Sequence, residues 1–396
     1  MTVSIPLNSV IHADCLTAMQ YLPNNSIDSI VTDPPYGLSF MGKKWDYDIP
    51  SVAIWKEALR ILKPGGHILC ACGTRTQHRM AVNIEEAGFE IRDIVTWLYG
   101  SGFPKSLDIS KAIDKQAGAK RESIGKRFDG KGSDSGTGIY QMNNGTSNMA
   151  KEIDITTPAT NEAKQWEGWG SALKPATEFW TLARKPLSEK TITENVLKHG
   201  TGGINIAECK IGNNQRFSSA AKAKAGTFNC SPGSGKEYLG KDVTGRFPAN
   251  VIFDEFTGAI LDEQSGYTET KRIEKSSIAE NGNTWGGSIQ TNRGARGHTD
   301  SGGASRFFYC AKASKAERGE GNNHPTVKPI KLLEYLIKLI TPPRGTVLDP
   351  FAGSGSTGIA ALNAGFNYLL IERELEYVNI CKERITEHEG KTMKRS

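Results

Sequence analysis

Asp33-Pro34-Pro35-Tyr36 places a carboxylate, two rigid imino acids and an aromatic ring side by side. Such a set suits a weak nitrogen nucleophile. An exocyclic amine of adenine or cytosine has its lone pair delocalised into the ring. Two acceptors on its hydrogens shift it toward tetrahedral geometry and free that lone pair. Asp33 supplies one acceptor. The Pro34 carbonyl supplies a second, held in a fixed direction because proline restricts the backbone. Tyr36 offers a face on which an extruded base can stack. A Pro-rich strand-to-loop turn without chemistry would use the same residues, so the tetrapeptide gains meaning only with a partner.

The partner is a glycine-rich turn, Val347-Leu348-Asp349-Pro350-Phe351-Ala352-Gly353-Ser354-Gly355-Ser356-Thr357-Gly358. Glycines let backbone approach a ligand with no Cβ in the way. Glu372 closes the next strand, where a carboxylate can accept hydrogen bonds from the two ribose hydroxyls of an adenosine group. A nicotinamide-binding unit would show the same glycines and acid, and a structural turn remains an alternative. The segment after Glu372 is too short to complete a dinucleotide fold. No lysine follows Gly358, which argues against an ATPase.

Other reactive side chains point elsewhere. His67, Cys70 and Cys72 sit in an apolar run and lack a second ligand pair at zinc spacing, so no metal is expected. His78 and His324 have no clear catalytic partner. None of the cysteines follows a proline, the arrangement usual where a cysteine attacks cytosine C6.

These groups need strand ends to hold them, because ligands of open α/β sheets bind beyond the carboxyl ends of the strands. Two stretches have the required patterning. In the first, 27–32 reads as a buried strand, Val52 to Leu62 as a helix, 67–71 as a strand, then a helix to Gly88 and a strand over 89–98. In the second, 330–340 reads as an amphipathic helix, 345–348 as a strand, 357–364 as a helix, 368–371 as a strand and 374–385 as a last helix. Between them, 130–148, 212–240 and 279–303 are rich in Gly, Ser, Asn and Thr and read as long loops. Foldable pieces lie at 166–186, 192–209 and 246–261.

The chain of 396 residues has room for one large α/β core with a sizeable insertion. A formal net charge of +6 is compatible with nucleic acid. From Lys105 to Lys131, eight basic residues face four acidic ones, a stretch able to track phosphates or simply to be solvated. Trp166, Trp169, Phe179, Trp180 and Trp285 can stack on bases or fill a core. Seven scattered cysteines suggest no disulfide framework. No apolar run approaches a membrane span, and the first residues lack a signal peptide's pattern. The expectation is a cytoplasmic protein of a bacterial or phage-infected cell.

With both motifs in view, the chain resembles the amino-methyltransferases of DNA. It matches the β class, in which the Asp-Pro-Pro-Tyr motif precedes a target-recognition insertion and then the cofactor motif. More narrowly it resembles phage and prophage methylases, through Ala172-Leu173-Lys174-Pro175-Ala176 with Ala183-Arg184-Lys185-Pro186, and through Phe307-Phe308-Tyr309-Cys310-Ala311-Lys312. The resemblance implies a circularly permuted, Rossmann-like S-adenosylmethionine-dependent methyltransferase fold with a large insertion. It implies three parts: 1–102 as the catalytic half, 103–322 as the DNA-binding insertion, and 323–396 as the cofactor half.

Asp33, Pro34, Pro35 and Tyr36 then correspond to the catalytic tetrapeptide. Asp349, Phe351, Ala352, Gly353, Ser354 and Gly355 form the cofactor loop, with Glu372 as the ribose-binding acid. Lys328, in His324-Pro325-Thr326-Val327-Lys328-Pro329, is expected along the methionine end of the cofactor, and Asp14 near its adenine. Asp33 is also counted in the cofactor set. The implied reaction is methyl transfer from S-adenosylmethionine to N6 of a flipped-out adenine in double-stranded DNA, aspartate at position 33 being typical of that base. N4 of cytosine is the alternative. A dehydrogenase, an RNA or protein-glutamine substrate, and a DNA-binding relic of a methylase fit the motifs less well. Relatives of this class often form homodimers.

Overall fold

A computed structural model describes residues 5–38, 46–100, 102, 106–129, 151–217, 221–222, 237–238, 243–270, 297–298, 300–311 and 328–393. Nine strands form the main sheet: β1 Ser9–His12, β2 Ile27–Thr32, β3 Leu62–Gly73, β4 Glu90–Leu98, β5 Thr177–Arg184, β6 Val251–Asp254, β7 Tyr309–Ala311, β8 Thr346–Asp349 and β9 Asn367–Glu372. Their spatial order is β1-β9-β8-β2-β3-β5-β4-β6-β7. β5 runs antiparallel to β3 and β4, and all other pairs are parallel.

The strands read as continuous apolar runs because both faces are covered. Along β2, Ile30 enters one core layer and Val31 the other. Ile68 and Cys70 alternate with Leu69 and Ala71 along β3 in the same way. One layer packs under α1 Cys15–Gln20, α2 Val52–Ile61 and α3 Gln77–Glu86. The other packs under α4 Ile330–Ile340, α5 Ser356–Ala364 and α6 Leu375–Met393. Among the described residues, no helix is long and apolar enough to cross a membrane.

The two ends of the sequence meet at the centre of the sheet. β8 pairs with β2, and from that seam the order proceeds to β9 and β1 on one side and to β3 on the other. Side chains fasten the seam. The Thr346 amide donates to Asp28 Oδ2 at 2.7 Å, and Ser29 and Thr341 share a hydroxyl hydrogen bond of 2.8 Å. Such a reversal of strand order opens a crevice beyond the carboxyl ends.

The segment expected to be a separate insertion is not uniform. Three of its strands, β5, β6 and β7, join the main sheet. β3 also runs longer than expected, from Leu62 through the Lys63-Pro64-Gly65-Gly66 turn. Mutual hydrogen bonds with Lys185 hold that turn, from the Gly65 amide to the Lys185 carbonyl and from the Lys185 amide to the Gly66 carbonyl.

Residues 101–176 form a compact unit of their own. In it the helix Ile109–Gln116 accompanies a hairpin of Glu122–Asp129 and Lys151–Thr157. Asp114 is the clasp. Burial pushes its carboxyl up, but the amides of Ala159 and Thr160, the Thr160 hydroxyl and Arg121 pull it down to about 2.

Candidate active site

β2 stops where Pro34 cannot supply the next amide donor, and the chain turns at the crevice. Asp46, almost fully buried, organises the turn. Its Oδ1 accepts from the amides of Tyr36 at 2.6 Å and Gly37 at 3.0 Å, and its Oδ2 from Leu38 at 3.2 Å. The Thr76 hydroxyl donates to the Tyr36 carbonyl at 2.7 Å. The tetrapeptide is therefore held by its backbone, and its side chains are left for other contacts.

Asp33 and Tyr36 touch directly. The Tyr36 hydroxyl donates to Asp33 Oδ1 at 2.7 Å. Lys328 Nζ donates to Asp33 Oδ2 at 2.7 Å and to the Tyr36 hydroxyl at 3.2 Å, and lies 5.5 Å from the Tyr36 ring centroid. The same ammonium is 3.1 Å from Glu178 Oε2. Lys328, expected along the methionine end of the cofactor, bridges the carboxylates of Asp33 and Glu178.

The electrostatics follow from crowding charges in a dry place. Burial alone would lower the Lys328 pKa, but Asp33 and Glu178 more than offset it and raise it. Burial raises the Glu178 carboxyl, Lys328 opposes the shift and Asp33 adds to it. Tyr36 is pushed well up by burial and then by Asp33, so it stays a neutral donor. Glu178 reaches this edge because β5 is antiparallel: its start lies beside the ends of its neighbours, with Glu178 opposite Gly73 and Trp97. Glu178 Oε1 is buried with no hydrogen-bond partner among the described residues.

On the neighbouring strand, β8 ends at Asp349, whose carboxylate faces inward. Its Oδ1 accepts from the Thr32 hydroxyl at 2.7 Å and the Phe351 amide at 3.1 Å, and its Oδ2 from the Thr357 hydroxyl at 2.6 Å. Burial raises its pKa to about 6 against these hydrogen bonds. Asp349, expected among the cofactor contacts, is tied to β2, to α5 and to its own loop by these partners.

Gly353 and Gly355 both adopt positive φ, +51° and +80°. A Cβ on Gly355 would lie 2.5 Å from Cys381 Sγ on α6, so this glycine is also required by packing. Ser354 is buried, and Arg384 donates to both its carbonyl and its hydroxyl. The Ala352 amide donates to the Ile371 carbonyl at 2.9 Å. Phe351 is half-buried, 6.4 Å from Trp55 between ring centroids.

Glu372 stands at the tip of β9. Its Oε2 accepts from the Gly353 amide at 2.8 Å and its Oε1 from the Glu374 amide at 2.8 Å. Each oxygen keeps a second lone pair. Asp14 follows β1 on the next strand, exposed, and caps α1 through the Thr17 amide at 3.2 Å.

The remaining sequence candidates fall outside this cluster. His67 is buried and its pKa is lowered to about 4 by burial and then by Arg184. Burial pushes up the thiols of Cys70 and Cys72. Among the described residues, no group of His, Cys, Asp and Glu is arranged to hold a metal ion. Trp180 is core, whereas Trp166 and Trp169 are exposed and meet edge-on at 5.0 Å. Trp285, His324 to Val327, and Lys312 lie outside the described residues. Sequence reasoning missed Glu178, Asp46 and Thr76. Only Glu178 carried a signal, as an acid directly before the aromatic pair Phe179-Trp180.

The chain matches the model of a family described as DNA methylase over residues 27–383. Among curated relatives, it is 45% identical over 71 residues to the type II methyltransferase M2.MboI of Moraxella bovis, 18% of this chain and 26% of that protein. It is 48% identical over 63 residues to the putative methylase YubD of Escherichia coli (strain K12), 16% of this chain and 28% of that protein. The chain thus matches about a quarter of the length of these relatives. Among solved structures, the PvuII DNA methyltransferase (cytosine-N4-specific) aligns with a TM-score of 0.44 and 15% identity, covering 95% of this chain and 85% of that one.

Proposed function

The chain belongs to the DNA methylases, and on that premise we propose that it transfers a methyl group from S-adenosylmethionine to the N6 amino group of an adenine in DNA. The observation that carries this reading is the half-buried Asp33 carboxylate beside Tyr36, one strand from a glycine loop and its acid.

The cofactor's adenosine end fits the carboxyl ends of β8, β9 and β1. Two glycines open the loop, Glu372 offers spare lone pairs for a ribose diol, and Asp14 stands exposed on the adjacent strand. Phe351, half-buried, would pack against an adenine. When bound, S-adenosylmethionine supplies a methyl group on a sulfonium that is transferred by direct displacement.

The protein's share is to prepare the amine. Asp33 accepts one N–H, and the Pro34 carbonyl accepts the other. Positive charge develops on the nitrogen as the N–C bond forms and the S–C bond breaks, and the Asp33 carboxylate stabilises it. The surplus N–H proton then leaves to solvent to give the neutral methylated amine. Tyr36 orients Asp33 through its hydroxyl and offers its ring to the base. Because the amine of a paired base points into the duplex, the target must leave the stack first.

The 101–176 unit is the proposed target-recognition part, on the basis of its exposed Trp166 and Trp169 and its lysines. β5 to β7, although inside the segment 103–322, belong to the catalytic sheet in this reading.

Mass spectrometry of nucleosides from unmethylated DNA, incubated with protein and S-adenosylmethionine, tests the proposal. N6-methyladenine that disappears with Asp33→Ala is the expected result. N4-methylcytosine would keep the chemistry and change the base. No modified base, from folded protein that binds cofactor, would overturn the reading.

A further inference from the structure

In this structure Asp33 has both oxygens engaged, Oδ1 by the Tyr36 hydroxyl and Oδ2 by Lys328 Nζ, each at 2.7 Å. An amine arriving at Asp33 meets a carboxylate whose charge is already balanced by an ammonium. Lys328 must withdraw for Asp33 to act at full strength. Yet Lys328 is 9% exposed, and a buried ammonium without an anion is strongly unfavourable.

Glu178 resolves the conflict. Its Oε2 already lies 3.1 Å from Lys328 Nζ, and its Oε1 has no hydrogen-bond partner among the described residues. We propose that Glu178 is a positioning residue that draws Lys328 off Asp33 when the base amine binds. This rests on the amine-methylation reading above. The lysine stem is flexible and its ammonium has rotatable donors. A small swing toward Oε1 gives Lys328 both oxygens of Glu178 and removes the ammonium that offsets the charge Asp33 Oδ2 presents to the incoming N–H. The pair stays charged and buried throughout, so no proton has to move. Glu178 itself touches neither base nor cofactor in this scheme. After transfer, Lys328 returns and recaps Asp33, which helps expel the methylated amine.

A double-mutant cycle on the full chain tests the switch. Glu178→Gln keeps the shape and removes the charge, so Lys328 stays on Asp33. Turnover should fall on the order of 100-fold, with S-adenosylmethionine affinity, the KM for DNA and melting temperature close to wild type. Adding Lys328→Met removes the cap that Glu178 was needed to draw away. The double variant should then be about tenfold faster than Glu178→Gln alone, a rescue that independent losses cannot give. A double variant slower than Glu178→Gln, or a Glu178→Gln within about twofold of wild type, overturns the switch while an active wild type leaves amine methylation standing. A wild type that forms no methylated base overturns both.

Discussion

Two aspartates follow adjacent strands of one sheet, and in the proposed mechanism they are put to opposite uses. Asp33 ends β2 and is held by the tips of two side chains, Tyr36 and Lys328. Both partners can yield to a ligand without disturbing the backbone. Asp349 ends β8 and is held by the Thr32 and Thr357 hydroxyls and by the Phe351 amide. These donors belong to the strand, helix and loop that make the crevice. A carboxylate at a strand end is thus available for chemistry only where its partners are expendable. The Thr32 bond to Asp349 even links the two uses, because the residue before Asp33 is fixed by Asp349.

The largest expected effect separates them most sharply. Asp33→Asn should lower turnover on the order of 1000-fold, with cofactor affinity and melting temperature near wild type; stopped-time methyl-transfer assays and calorimetry measure the two. Next, Glu372→Gln should weaken cofactor binding by about 10- to 100-fold, the size of a lost charged hydrogen bond, with a lesser effect on saturated turnover. An unchanged affinity in titration calorimetry would remove Glu372 from the cofactor site.

Asp349→Ala should act on the frame. It strips the Thr32 and Thr357 hydroxyls of their buried acceptor and should cost about 2–3 kcal/mol of stability in denaturant unfolding. Asp349→Asn has a subtler signature. The folded chain keeps the Asp349 proton up to about pH 6, whereas an ordinary aspartate loses it near 3.8. The stabilising contribution of this group is therefore full below the ordinary value and is lost as pH rises through about 6. Wild type should lose melting temperature across that interval, and Asp349→Asn should flatten this slope. An equally steep slope in the variant would show that another group titrates.

Asp14→Asn is the smallest perturbation. The exposed cap keeps its oxygen and loses only a screened charge, so affinity for cofactor should drop about two- to fivefold.

The sequence revealed the parallel strands at the seam because they are buried on both faces and end at Pro or Gly. It also revealed both motifs, since Asp33 to Tyr36 and Asp349 to Gly355 are contiguous. What it concealed is non-local. β5 belongs to the sheet although it begins at Thr177, far beyond the end of β3 at Gly73, and no local pattern states which neighbours a strand will take. Its antiparallel direction is what brings Glu178 to the site. Asp349 was legible as part of a loop, but its inward turn depends on hydroxyls from β2 and α5. Gly355 was expected for a ligand's sake, and Cys381 on α6 supplies a second reason that only packing discloses.

The division of labour between the two aspartates is tested most directly by measuring turnover and unfolding together on Asp33→Asn and Asp349→Asn. The account predicts that Asp33→Asn lowers methyl transfer on the order of 1000-fold and leaves the melting curve and cofactor affinity in place, while Asp349→Asn alters the pH dependence of melting and retains measurable turnover. The reverse pattern, with Asp33→Asn active and Asp349→Asn folded, cofactor-bound and inert, would contradict it.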